Sequence, residues 1–202
     1  MEIYQGDHMK EFPVDVFQTG SGTSTNMNMN EVISHLASSE SNAIHPNDDV
    51  NMGQSSNDVI PSAINVDSSL SVKNNLIPSM KHLKNAIDEK AKSIGDIPKN
   101  GRTHLMDAMP VTFSQEMSAW SAQIHDAIEQ YEQSMPKIQQ LAIGGTAVGT
   151  GINADPHLSE KCCKHMNNLT GMEFKPANNS FQAISSQAVS YTHLRAHETP
   201  EH

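Results

Sequence analysis

The sequence contains few of the residues that mark exported, nucleic-acid-binding or membrane-spanning proteins. Only two cysteines occur, Cys162 and Cys163, and a disulfide between neighbours is strained and cross-links almost none of the chain. With 13 basic and 23 acidic residues, the chain lacks the basic surface that nucleic acids and anionic membranes attract. No apolar run is long enough to cross a bilayer, and the first residues, MEIYQGDHMKEF, lack the features of a signal peptide. These absences predict a soluble cytoplasmic protein with reduced cysteines and without a nucleic-acid or membrane partner.

The apolar share of the sequence is also low. At 36% over 202 residues, it is below the share of a typical self-contained globular domain. We therefore expect part of the protein's core to be missing from this chain.

Apolar residues recur at intervals of three and four along two long segments, which is the spacing of one face of a helix. From Asn57 to Ile94 this pattern predicts a long amphipathic helix, with a kink or short break at Pro78, because proline disrupts a helix interior. From Phe113 to Ile138 it predicts a second helix with a narrow apolar seam. Shorter helices are predicted at about Ser24 to Ser38 and at His157 to Leu169. Strand signals are few, so the pattern indicates a helical bundle with polar loops near the helix ends.

The stretch QSSND, residues 54–58, places several polar side chains directly before an apolar helix pattern. Ser, Asn and Asp cap helix starts, so a helix beginning near Asn57 needs one of them. The remaining side chains, with the free N–H groups of the helix start, would form a cradle for an anion. No Lys or Arg occurs between Gln18 and Pro61, so such an anion would be held by neutral donors. The simpler interpretation is that these residues only form turns and caps.

A second polar loop, GRTHLMDAMP at residues 101–110, carries the only arginine before residue 195. His104 follows the hydroxyl of Thr103, and histidine exchanges protons near neutral pH. Taken alone, a loop histidine is more often a surface or capping residue. His104 and Asp107 could also be metal ligands, although no recognised ligand spacing accompanies them.

Four long motifs together carry a resemblance to a known family. They are VFQTGSGTSTNMNMNEV at 16–32, HPNDDVNMGQSSNDVIP at 45–61, GRTHLMDAMPVT at 101–112 and LAIGGTAVGTGIN at 141–153. In this order they resemble class II fumarate hydratase, and the likeness runs without a break from about Phe12 to about Ala183.

The resemblance implies a fold and a reaction. The fold is all-α, the long-helix bundle of the fumarase and aspartase superfamily, present here incompletely. Residues 1–11 would be a remnant of an N-terminal domain, residues 12–187 the N-terminal loops with part of the central bundle, and residues 188–202 a foreign or artefactual tail. The implied reaction is the reversible trans hydration of fumarate to L-malate, without a metal or cofactor, in a homotetramer whose active sites each use three subunits. The family's catalytic serine loop, a GSS stretch ending in KxN, is absent, so we expect this chain to be inactive alone.

The resemblance also implies roles for individual residues. The residue expected to act in catalysis, by positioning or shuttling a proton, is His104. The residues expected to contact the dicarboxylate substrate are Ser21, Gly22, Thr23, Ser55, Ser56, Asn57 and Thr103. The residues that correspond to a second, peripheral dicarboxylate site are His45, Pro46, Asn47 and Asp48. As a plain turn, this last segment would need no ligand.

Two alternatives stay open at this point. Aspartases typically have glutamine where this chain has His104, so the histidine favours a fumarase over aspartate ammonia-lyase or another lyase of the superfamily. The second alternative is of a different class, a non-catalytic piece of the helical bundle. A GSS loop followed by KxN, encoded downstream of Gln187, would favour the enzyme.

Overall fold

The structure, a computed structural model that describes residues 2–185, is mainly helical. Its helices are α1 (Thr23–Ala37), α2 (Ser56–Ser71), α3 (Ile77–Ile94), α4 (Phe113–Ile138), α5 (Leu158–Thr170) and α6 (Ser180–Ser185). Its strands are short: β1 (Pro98–Thr103), β2 (Met106–Thr112), β3 (Gln140–Leu141) and β4 (Lys175–Pro176). The predicted all-α fold class is confirmed, and the predicted tail at 188–202 lies outside the described residues. None of the helices within residues 2–185 combines the length and apolarity that a membrane span requires.

The chain divides into two compact units. Of the described residues, the first contains 2–67 together with 137–185, and the second is Ser68–Pro136. Helices α2 and α4 each pass from one unit into the other. The sequence suggests a different division from these two units, into residues 1–11 and residues 12–187. That division stays a prediction.

The long helix predicted from Asn57 to Ile94 is interrupted where proline was expected to interrupt it. Helix α2 is followed by one wide π-type turn, Val72–Leu76, and then by α3, whose first turn contains Pro78. Proline lacks an N–H, and its ring clashes with the carbonyl four residues earlier, which here belongs to Asn74 inside the wide turn. The predicted short break is therefore confirmed, on the N-terminal side of the proline.

The other predicted helices are confirmed to within a residue or two. Helix α4 has the predicted bounds, and α1 and α5 begin and end next to theirs. Gly171 ends α5 in the left-handed conformation, with a φ of 65°. This conformation costs glycine little, which explains why the helix stops there.

The core of the first unit lies where α5 packs beside the parallel pair of β3 and β4. Phe174 is 2% exposed, and the Asn167 side chain fixes its backbone by accepting its N–H at 2.6 Å and donating to its carbonyl at 3.0 Å. Leu141 on β3 is equally buried, and Ile138 at the end of α4 is fully buried. This core supports the loop of residues 144–151, which follows β3.

Residues 101–110, predicted as a polar loop, belong to a β-hairpin instead. Strands β1 and β2 are antiparallel, and Thr103 pairs with Met106, so the loop contains only His104 and Leu105. Both loop residues are left-handed, with φ values of 49° and 62°. This is the type I′ arrangement, for which Asn-Gly is the usual sequence. The hairpin was missed because neither His nor Leu signals such a turn and the strands lack apolar alternation.

Polar contacts join the elements of the second unit. Lys81 on α3 lies 3.0 Å from Glu132 on α4, and Lys99 on β1 lies 2.7 Å from Glu116 on α4. Asp88 on α3 accepts a hydrogen bond from Ser121 on α4, which, with Lys84, holds the pKa of Asp88 below its usual range. Surface pairs of this kind contribute little stability individually, so they orient α3 and α4 more than they stabilise them.

The first testable prediction concerns the hairpin turn. We expect Leu105→Gly to raise the free energy of unfolding by about 1 kcal/mol, because glycine adopts the left-handed conformation without strain. Little packing would be lost, since Leu105 is 95% exposed. Urea unfolding followed by circular dichroism measures the change. The matched control is Leu83→Gly in α3, which should lower stability by about 1 kcal/mol, and a loss of stability in both variants would contradict the prediction.

Both cysteines are free thiols in the structure. Cys163 on α5 is buried, and burial, with a smaller contribution from Cys162, raises the pKa of its thiol to about 11. The pKa of Cys162 is also raised, mainly by burial and then by the charge of Asp58. Because the thiolate is the reactive form, both side chains should be inert near neutral pH.

We therefore expect iodoacetamide at pH 8 to label Cys163 in the folded chain about a hundredfold more slowly than in the urea-unfolded chain. The labelling rate should increase as the pH rises towards 11, because the thiolate fraction grows until the pH passes the pKa. Mass spectrometry of peptides quenched over time gives both rates. Equal rates in the folded and unfolded chain would show that Cys163 is neither buried nor shifted in pKa.

Candidate active site

The stretch QSSND lies at the first turn of α2, as predicted. Ser55 caps the helix: its Oγ accepts the N–H of Asn57 at 3.2 Å, and its carbonyl accepts the N–H of Val59 at 3.0 Å. In return, the carboxylate of Asp58 accepts the N–H of Ser55 at 2.9 Å. This is a variant of the capping box, in which the Ser55 hydroxyl accepts the N–H of Asn57 instead of that of Asp58. Ser55 therefore has a structural role in addition to any role towards a ligand.

The next two members of the stretch bind neighbouring segments. The Oγ of Ser56 accepts a hydrogen bond from Nδ2 of Asn26 on α1, at 3.0 Å. The Nδ2 of Asn57 donates to the carbonyl of Ala147, at 2.9 Å. Ser56 is half-buried and Asn57 is exposed. The start of α2 is thus the point where α1 and the loop of residues 144–151 converge.

Ser21, Gly22 and Thr23 lie at the start of α1, close to α2. Gly22 is left-handed, with a φ of 65°, and a Cβ at this position would lie 2.9 Å from Cγ1 of Ile60 on α2. The hydroxyls of Ser21 and Thr23 are 3.1 Å apart and both residues are exposed. The close approach at Gly22 places these hydroxyls near the first turns of α2.

Asp58 is a residue whose importance the sequence analysis missed, since it was treated only as a candidate cap. Its side chain is fully buried. Besides Ser55, it accepts the N–H groups of Gly144 and Thr146, at 3.0 and 2.7 Å. The spacing S-x-x-D before an apolar run was the available signal for the capping box, but no sequence pattern announces the contact with the later loop.

Thr103 and His104 belong to the second unit, where they lie at the tip of the hairpin. Both are exposed. Arg102 and Asp107 face each other across the hairpin, with 3.7 Å between Nε and the carboxylate. The structure therefore gathers Ser21–Thr23 and Ser55–Asn57 within the first unit, while Thr103 and His104 are held in the second.

The segment from His45 to Asp48 forms a turn that caps itself. Nδ1 of His45 accepts the N–H groups of Asn47 and Asp48, at 3.3 and 3.1 Å. The carboxylate of Asp49 accepts the N–H of His45 at 2.7 Å. These contacts satisfy the turn without a ligand, as the plain-turn interpretation requires. A second dicarboxylate site at His45, Pro46, Asn47 and Asp48 stays a prediction.

The donors at the start of α2 are neutral, and metal ligands are not clustered among them. Across residues 2–185, no three or more His, Cys, Asp and Glu side chains are grouped so that they could hold a metal ion. What the arrangement offers is hydroxyls, amides and the N-terminal end of a helix of 16 residues. Such groups bind anions, and they favour negative charge through the helix dipole.

Comparisons with known proteins agree with the four motifs and with the fold. A family model described as lyase matches residues 1–196. The chain is 50% identical over 188 residues to a class II fumarate hydratase of Xylella fastidiosa, covering 93% of this chain and 40% of that protein. It is also 50% identical to a class II fumarate hydratase of Pseudomonas aeruginosa, over 93% of this chain and 41% of that protein. The chain thus spans about 40% of the length of these curated relatives.

Among solved structures, a class II fumarase from Schistosoma mansoni superposes with a TM-score of 0.85 and 39% sequence identity. The superposition covers 90% of this chain and 43% of that one. The fold and the motifs therefore agree with the resemblance to class II fumarate hydratase. Because the family model covers nearly all of its residues, the chain belongs to the lyase family.

Proposed function

We propose that the protein to which this chain contributes is a class II fumarate hydratase, which catalyses the reversible trans hydration of fumarate to L-malate in the tricarboxylic acid cycle. The observation that carries the proposal is the convergence of Ser21–Thr23 and Ser55–Asn57 at the first turn of α2. The 50% identity to proteins named class II fumarate hydratase supports it.

The chemistry explains why neutral, fixed donors suit this reaction. Removing a proton from the carbon next to a carboxylate places a second negative charge on that carboxylate, giving an aci-carboxylate. A catalyst must bind this group more tightly in the transition state than in fumarate or malate. The start of α2 supplies the hydroxyls of Ser55 and Ser56 and the amide of Asn57, and the bonds of Ser56 to Asn26 and of Asn57 to Ala147 already hold two of these side chains in place. Donors held in advance need little reorganisation when the charge develops.

His104 would position or shuttle a proton through a water molecule beside the reacting carbon, next to Thr103. His104 lies in the exposed two-residue turn of the hairpin, where its imidazole is accessible to a ligand. Ser21, Gly22, Thr23, Ser55, Ser56 and Asn57 would contact the carboxylates of the substrate. The serine that completes proton transfer would come from a segment of the protein outside this chain.

Exposed apolar side chains in the second unit support an assembly of several chains. Leu83 on α3 is 52% exposed, and Trp120 on α4 is 46% exposed. Such side chains are covered where further protein, from the same or from another chain, packs against α3 and α4. We propose that the complete protein is a homotetramer, and that it is cytoplasmic, in keeping with its free cysteines.

The proposed function is tested in a chimaera, in which residues 12–187 replace the matching segment of the Xylella fastidiosa class II fumarate hydratase. We expect His104→Asn to lower kcat at least about a hundredfold, because asparagine cannot act as an acid or base. Asparagine tolerates the left-handed conformation, so the hairpin should be retained. Turnover is followed through the ultraviolet absorbance of fumarate. Leu105→Asn, at the adjacent left-handed position, is the matched control and should leave kcat within about twofold.

An unchanged kcat in the His104→Asn chimaera would reduce His104 to a turn residue. The same protein also tests the substrate. With fumarate and ammonia supplied together, malate should form and aspartate should not form at a comparable rate. Faster formation of aspartate would establish the aspartate ammonia-lyase alternative, and a chimaera without either activity would favour the non-catalytic one.

A further prediction separates the two roles of Ser55. In the chain itself, Ser55→Ala should lower the free energy of unfolding by about 1 kcal/mol, because the cap of α2 is lost. In the chimaera it should also raise the KM for fumarate, by about tenfold, if the hydroxyl contacts a carboxylate. Ser71→Ala, at the exposed opposite end of α2, is the control and should change neither quantity appreciably. A loss of stability with an unchanged KM would show that Ser55 is only a cap.

A further inference from the structure

We infer that Asp58 is a positioning residue, whose buried carboxylate joins the first turn of α2 to the loop of residues 144–151 and thereby fixes the geometry of the proposed substrate cradle. The structural part of this inference stands on the contacts of Asp58 alone. Its effect on substrate binding rests on the proposed function.

Both oxygens of the Asp58 carboxylate are engaged by backbone N–H groups. Oδ1 accepts from Ser55 at 2.9 Å, and Oδ2 accepts from Gly144 at 3.0 Å and from Thr146 at 2.7 Å. Alternate N–H groups that converge in this way form a concavity suited to an anion, and here the protein's own carboxylate fills it. An amide in place of the carboxylate has a single acceptor oxygen, so it cannot satisfy both sides.

Thr146 is held in a conformation that it would not adopt by itself. Its φ is 56°, which is a strained value for a β-branched residue. It is 4% exposed, and its Oγ1 is buried without a hydrogen-bond partner, which adds a further cost. Such a residue persists only where surrounding contacts determine it. The bond from its N–H to Asp58, the shortest of the three, is the contact that does so.

The rest of the loop is crowded on its other side by α6. A Cβ on Gly145 would lie 2.8 Å from Cδ1 of Ile184, and one on Gly149 would lie 2.8 Å from Cδ1 of Phe181. The loop therefore packs against α6 and is hydrogen-bonded to Asp58 on α2. These two sets of contacts together fix its position.

The loop position matters for the cradle because Asn57 depends on it. The side chain of Asn57 donates to the carbonyl of Ala147, which directly follows Thr146. On the other side, the Asp58 carboxylate holds the N–H of Ser55. The Asp58 carboxylate thus fixes Asn57, the residue before it, through the loop, and Ser55, three residues before it, directly, and both belong to the proposed cradle.

The structural test uses Asp58→Asn in the 202-residue chain. Amide hydrogen exchange at Gly144 and Thr146 should be at least about tenfold faster than in the parent chain, after correction with the amide of Ile128 in the second unit as the reference. Exchange at these two amides that changes no more than at Ile128 would overturn the inference.

Because Asp58→Asn could destabilise the whole first unit, a second variant keeps the test decisive. Thr146→Gly removes the strain, since glycine adopts a φ near 56° freely. If Asp58 holds Thr146 in place, the fall in melting temperature caused by Asp58→Asn should shrink by about half or more when Thr146 is already glycine. Additive losses in the double variant would contradict a direct coupling of the two residues.

The kinetic test uses the chimaera. Asp58→Asn should raise the KM for fumarate by about tenfold or more. Adding Thr146→Gly to this variant should reverse part of that increase. Phe174→Leu, a core variant in the same unit, is the matched control, since it lowers stability without removing a hydrogen bond of Asp58, Asn57 or Ser55. An equal KM in the Asp58→Asn and Phe174→Leu proteins would refute the positioning role. If the unmutated chimaera is inactive, the proposed function fails, and the exchange and melting measurements decide the inference about Asp58.

Discussion

A buried carboxylate must accept hydrogen bonds from the protein in place of those it accepts from water. The N–H groups that donate to Asp58 come from two segments more than eighty residues apart. One is the start of α2, and the other is the loop that leaves the buried strand β3. The arrangement works in both directions: the helix start receives its capping box, and the loop receives an anchor for a conformation it would not adopt alone. The polar surface at the start of α2 depends on this interaction, because Ser55 and Asn57 are both fixed by groups that Asp58 holds.

The polar surface at the start of α2 is therefore built from side chains that are already fixed. Lysine and arginine side chains carry charge on long chains that must be ordered when a ligand binds. Here the side chains are short, and Ser56 and Asn57 are already hydrogen-bonded to Asn26 and Ala147. A dicarboxylate entering such a surface would lose little binding energy to ordering the protein.

Sequence patterns predicted the helices well because helix formation depends on local spacing and on local stop residues. Helix α4 has its predicted bounds, and the break before Pro78 and the end of α5 at Gly171 follow from backbone chemistry at single positions. The hairpin and the anchoring role of Asp58 were not predicted. The first depends on two left-handed residues that are unusual in such a turn, and the second on a contact across eighty-six residues of chain, which no local pattern encodes. The residue roles in the candidate site came from the resemblance to a family, and the structure adds to them the hydrogen bonds that hold the side chains of Ser55, Ser56 and Asn57.

The type I′ turn at the hairpin tip restricts which amino acids can occupy position 104. A left-handed backbone at φ 49° is comparatively accessible to glycine, asparagine, aspartate and histidine, and it is costly for β-branched and bulky residues. Of these four, glycine and asparagine cannot transfer protons in the physiological range. The backbone of the turn therefore narrows the choice of an acid–base side chain at the tip to histidine or aspartate, before any requirement of the reaction is considered.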